Sequence, residues 1–81
     1  MNGKQMQGKQ MIDYAIETIC SQGQVCGLSK NGTLVILTGW RAKAGTAIQF
    51  NTMTVDADGE VHEGLLSVDA DKMYEIFHSL A

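Results

Sequence analysis

The dipeptide Asn31-Gly32 stands between two alternating apolar runs, Val25 to Lys30 and Thr33 to Thr38, and no other local pattern restricts the fold as much. A type I′ turn needs positive φ at both central residues, which asparagine and glycine tolerate best. A two-residue loop here pairs Lys30 with Thr33, Leu28 with Val35 and Cys26 with Leu37, so that Cys26, Leu28, Val35 and Leu37 share one face. Leu34 and Ile36 alternate with Val35 and Leu37 and therefore point the other way.

The flanking patterns extend this hairpin. From Lys9 to Gln22 the residues Ile12, Ala15, Ile16 and Ile19 recur at helical spacing, and Gly23 stands where a left-handed cap would end the helix. Residues 1–8 hold the first copy of a repeated tetrad, Gly3-Lys4-Gln5-Met6 and then Gly8-Lys9-Gln10-Met11, without apolar periodicity, and are expected as a mobile lead-in to a single domain over 9–81. Beyond the hairpin, Gly39 to Gly45 is expected as a loop, Thr46 to Val55 as a third strand, Asp58-Gly59 as a turn and Glu60 to Leu66 as a fourth strand. A last helix begins near Asp69, with Asp69 or Ser67 as N-cap and Met73, Ile76, Phe77 and Leu80 on one stripe. The fold class is α+β: an N-terminal helix, a four-stranded antiparallel meander and a C-terminal helix, with both helices on one face of the sheet.

The third strand carries a conflict. Ile48 and Phe50 are out of phase with Met53 and Val55, so a regular strand puts the two pairs on opposite faces. The reading adopted is a β-bulge near Asn51-Thr52 that returns all four to one core. The alternative is an apolar open face, covered by a second copy of the chain or by another protein.

Eighty-one residues make one small domain, and 44% hydrophobic with 19% charged residues is an ordinary globular balance. A net charge of −3 without long blocks of either sign marks neither a nucleic-acid binder nor a carboxylate-rich DNA mimic. No apolar run approaches the ~20 residues that span a bilayer, and the start lacks the apolar centre of a secretion signal, so no membrane role and a cytoplasmic location are expected. In that compartment Cys20 and Cys26 are expected as reduced, semi-buried apolar residues.

Motifs that would carry chemistry fail on spacing. Cys20, Cys26, His62 and His78 are zinc-ligand types, but neither pair forms a tight clip, so no metal or other cofactor is expected. Asp56-Ala57-Asp58-Gly59-Glu60 begins like a calcium loop and then places Val61 where glycine is needed and Ser67 where glutamate should close the shell. Gly39 to Thr46 has glycines, a lysine and a threonine in the wrong order for a phosphate-binding loop. No serine or cysteine stands in a nucleophile motif, and the chain leans away from catalysis.

The residues singled out for contact are Trp40, Arg41 and Lys43, of types that dominate interface energetics or add charge beside them, together with the outward Leu34 and Ile36; the equal alternative is a Trp40 folded over the sheet edge as core, with Arg41 and Lys43 solvated. The expected function is a non-catalytic protein-binding module, an accessory factor, inhibitor or regulator that covers a partner protein's surface, with a homodimer as a further expectation. Two alternatives stand beside it. In element order alone the chain resembles double-stranded-RNA-binding domains, but Asp69 and Asp71 occupy the start of the last helix, where such domains meet phosphate with basic residues. A small enzyme whose site is completed at a dimer interface would draw on His62, Glu63 and the acidic turn.

Overall fold

The computed structural model describes residues 3–81, and side-chain surroundings from residue 7 onward. The elements run α1 (Gly3–Gln22), β1 (Val25–Ser29), β2 (Leu34–Ala42), β3 (Ile48–Val55), β4 (Val61–Val68), α2 (Ala70–Ile76) and β5 (Phe77–Leu80). All strand pairs are antiparallel, in one five-stranded sheet of order β4-β3-β2-β1-β5. The α+β class and the two terminal helices are as expected; the fifth strand is not.

That fifth strand corrects the reading of residues 77–80. Helical spacing of Met73, Ile76, Phe77 and Leu80 suggested one continuous helix, but α2 ends at Ile76. Its end is satisfied from outside: the Phe77 N–H still bonds Met73 O, while Lys30 in the β1–β2 turn donates its N–H to Ile76 O at 2.9 Å. The chain then leaves as β5 along β1, and Ala81 exchanges backbone hydrogen bonds with Cys26 at 2.8 and 3.0 Å. Ser29 pairs with Phe77 but Leu28 pairs with Ser79, so His78 is an extra residue in the ladder. That bulge lets Phe77 and Leu80, three apart, lie on the same face of a strand.

The β1–β2 hairpin is also corrected. Its register pairs Val25 with Leu37, Cys26 with Ile36, Gly27 with Val35 and Leu28 with Leu34, one residue away from the expected pairing. The loop is Lys30-Asn31-Gly32, closed by Ser29 N–H to Thr33 O at 2.9 Å and Gly32 N–H to Ser29 O at 3.0 Å. Only Gly32 takes positive φ, +89°, so the turn is a type I turn followed by a left-handed glycine, and asparagine serves a different purpose. The Asn31 carboxamide accepts from the Ser29 hydroxyl and from the Thr33 N–H. A one-residue slip exchanges the faces, so Cys26 and Leu28 lie with Leu34 and Ile36, away from Val35 and Leu37.

The bulge expected near Asn51-Thr52 lies in β2 instead. Leu37 pairs with Thr52 and Gly39 with Asn51, which makes Thr38 the extra residue, while β3 pairs with β4 without interruption from Ile48–Val68 to Val55–Val61. β3 is therefore regular, and Ile48 and Phe50 take the face opposite Met53 and Val55. Gly39 to Ala42, expected in a loop, continue β2.

The core cluster draws Ile12 and Ala15 from α1, Met73 from α2, Phe77 from β5, and Val25, Leu37, Phe50 and Val68 from one face of the sheet. Full burial of side chains such as Phe50 and Leu37 contributes about 1.5–3 kcal/mol each. Of residues 1–8, expected as a mobile lead-in, residues 3–8 are the first turns of α1, and residues 1 and 2 lie outside the described residues. Gly8 is buried against α2: a Cβ there would lie 1.7 Å from the carbonyl oxygen of Ala70, so only glycine permits this approach. Two expectations hold locally: Gly23 ends α1 at φ +89°, and the Asp69 side chain caps α2 by accepting from the Lys72 N–H at 2.9 Å.

Candidate interaction surface

The observed registers arrange the sheet's other side, its open face, in rows that cross the strands. The outermost row reads Leu28, Leu34, Val55 and Val61: Leu28 pairs with Leu34, Val55 with Val61, and Leu34 stands beside Val55, one step beyond the Val35–Thr54 pair. The next row reads Cys26, Ile36, Met53 and Glu63. A third crosses Gly39, Asn51 and Leu65, and a fourth Arg41, Gln49 and Ser67, where Gln49 Nε2 donates to Ser67 Oγ at 3.4 Å. Cross-strand packing half-covers Cys26, Ile36 and Met53, but Leu34 remains 45%, Val61 55% and Leu65 62% exposed. Arg41 and Glu63 are the charged members of these rows, so apolar side chains adjoin one another across four strands. Scattered exposed leucines are ordinary; a contiguous patch on a small domain is the informative observation.

The helix side of the same strands behaves differently. Where the helices cover it, it is apolar apart from the buried Ser29; towards the β3–β4 turn it carries Thr52, Thr54, His62 and Gly64, and His62 and Gly64 are exposed.

The expected contact residues are divided. Leu34 and Ile36 lie on the open face, as alternation within β2 required. Trp40 and Arg41 are not loop residues: they pair with Phe50 and Gln49, on opposite faces of β2. Trp40 shares the side of Phe50 yet keeps 40% exposure, Arg41 closes the far end of the open face, and Lys43 lies in the β2–β3 turn, held by its N–H to Ala47 O at 2.9 Å. Leu28, Met53, Val55, Val61 and Leu65 join Leu34 and Ile36. Strand alternation already separated Met53 and Val55 from Phe50, but Leu28 needed the true hairpin register.

Titratable groups meet at the β3–β4 turn. Asp56 Oδ1 accepts from the N–H groups of Asp58 and Glu60, both at 2.9 Å, and Oδ2 lies 2.9 Å from His62 Nε2. The His62 hydrogen bond, followed by that from Glu60 N–H, holds the Asp56 carboxyl below its ordinary value of 3.8. Among the described residues, Asp56, Glu60 and His62 could bring ligand atoms within 4.8 Å of one another. All are exposed, and the bonds of Asp56 are those of a carboxylate that closes a tight turn. The zinc-type residues are dispersed: Cys20 is exposed on α1, Cys26 lies on the open face, His62 on β4 and His78 on β5.

A groove of about 550 Å³ runs between α1 and β5, lined by Met11, Tyr14, Tyr74, Phe77 and Leu80. The Lys30 ammonium, also on its wall, lies 4.4 Å from the centroid of the Tyr74 ring, within cation–π range. No described helix is long and apolar enough to cross a membrane. Comparison of the chain with protein-family models, curated proteins and solved structures gives no match.

Proposed function

We propose that the chain is a non-catalytic protein-binding module whose contact surface is the open face of the sheet. One observation carries the reading: the rows Leu28–Leu34–Val55–Val61 and Cys26–Ile36–Met53 place apolar side chains together across four strands, on the side that neither helix covers. Burying such a patch is favourable at roughly 25 cal/mol per Å² of apolar surface, and the partner that fits it is an apolar protein surface. Arg41 lies at one end and Glu63 on the edge strand, where charges set orientation more than affinity. Accessory factors, inhibitors and regulators act by covering a surface in this way.

The test compares capture by the tagged wild-type chain with capture by Leu65→Lys, after nuclease treatment, from lysate of the source cells. A stoichiometric protein held by the wild type and lost with Leu65→Lys supports the reading. Capture that ignores Leu65→Lys but is lost with Trp40→Ala moves the contact to the end of β2, and capture abolished by nuclease overturns the reading in favour of nucleic acid.

A further inference from the structure

We infer that the occupant of the open face is a second copy of this chain, packed sheet against sheet about a two-fold axis that runs nearly parallel to the strands between β2 and β3. The inference rests on the open face being a protein-binding surface and adds what binds there.

Self-complementarity is the first ground. A two-fold contact presents one patch to itself, so each residue meets a residue of the same patch on the other copy. Rotation about an axis along the strands keeps every row at its own level and reverses the strand order across it. The row Leu28–Leu34–Val55–Val61 then meets Val61–Val55–Leu34–Leu28, apolar against apolar throughout. In the next row Ile36 meets Met53, and Glu63 of the edge strand stands over Cys26 rather than over its own copy. At the far end Arg41 stands over Gln49. No charged residue of these rows faces its like. An axis perpendicular to the strands and level with the second row would instead lay β4 over β4 and bring Glu63 against Glu63.

Area is the second ground. With strands about 4.8 Å apart and residues rising about 3.4 Å each, some seven residues of β2 and β3 and the five of β1 with the stretch of β4 that it faces give a footprint of roughly 400 Å² per copy. A corrugated side-chain layer exposes more than its flat footprint, so two copies bury about 1,000 Å² or more together, the size at which specific interfaces begin. Sheets stacked about 10 Å apart and crossed by about 30° make such contacts in β-sandwiches.

The experiment is sedimentation equilibrium of the untagged chain over a dilution series, with two charge variants. The wild type should give twice the 8.8 kDa chain mass and dissociate on dilution. Leu34→Glu and Val55→Lys, each alone, should weaken self-association at least about a hundredfold, because each sets an unpaired charge into the interface. Mixed in equal amounts they should restore part of the dimer, because residue 34 of one copy faces residue 55 of the other. Far-UV circular dichroism checks that each variant folds, and the pair Val61→Lys and Leu28→Glu, which face each other across the axis, replaces them if either does not. A wild type that stays monomeric, or a dimer that survives these charges, overturns the inference. A monomeric wild type whose capture of a different protein is lost with Leu65→Lys overturns the second copy and leaves the protein-binding reading standing; a monomer without such capture overturns both.

Discussion

The two faces of this sheet are built by the same strands and the same alternation, yet only one has visible cover. On the helix side Phe50, Leu37, Val25 and Val68 are buried beneath α1 and α2, and beyond the helices that side turns polar, with Thr52, Thr54 and His62. On the open side the same stretch of β3 and β4 carries Met53, Val55, Val61 and Leu65. Polarity therefore follows cover on the face where cover is seen. The open face departs from that rule until a second surface is laid on it.

The largest predicted effect tests the covered side. Phe50→Ala empties a fully buried site and should cost about 3–5 kcal/mol in urea unfolding, a large part of a small domain's stability. Leu65→Ser, on the opposite side of the neighbouring strand and 62% exposed, should change the stability of the dilute chain by no more than about 0.5 kcal/mol. Comparable losses at both positions would break the contrast between the faces.

Next in size is the contact that seats one helix on the other. Gly8→Ala replaces a poor helix former with the best one, worth about 1 kcal/mol in an exposed helix. Here the added methyl meets the Ala70 carbonyl, which is backbone and cannot rotate aside, so the helices must separate. A net loss of about 1–3 kcal/mol is expected in thermal or urea unfolding. A gain instead would show that α1 and α2 do not approach so closely and that the cover of the core face is looser.

Much of the covered face was legible in the sequence. Ile12 and Ala15 on α1, Met73 on α2 and the cap residues Gly23 and Asp69 follow from spacing and side-chain chemistry alone. The open face was legible only in part, because its membership depends on register. Asn31-Gly32 suits a type I′ turn, but Asn31 Oδ1 and Ser29 Oγ hold the Thr33 N–H and support a loop one residue longer, which turns Cys26 and Leu28 over. Bulges at Thr38 and His78 hid in the same way. In β5 the extra residue sets Phe77 and Leu80 on one face at a spacing of three, which imitates a helix, and what ends α2 is the Lys30 N–H, a tertiary contact that no local pattern announces.

The cap of α2 offers a smaller, cleaner measurement. Asp69→Ala removes the acceptor for the Lys72 N–H and should cost about 1 kcal/mol, read as a shift of the urea midpoint with unchanged slope. Asp69→Asn, which keeps the acceptor, should recover most of it. Because α2 supplies Met73 to the core but nothing to the open face, self-association per folded molecule should be unaltered in both variants.

The smallest effect belongs to the polar end of the helix side. Asp56→Asn keeps an oxygen for the N–H groups of Asp58 and Glu60 and removes the charge beside His62. The wild-type carboxyl is held below 3.8, chiefly by His62 and then by the Glu60 N–H, so its contribution is complete above the ordinary aspartate value and is lost as pH falls through the lowered one. Melting temperatures of wild type and Asp56→Asn should thus differ slightly at neutral pH, converge as pH drops below 3.8, and differ less in high salt, since the pair is open to solvent. A gap that persists in acid would mean that the Asp56 turn is held by shape rather than by charge. A large gap at neutral pH would mean that this end of the sheet is also covered, which would remove the contrast with the open face.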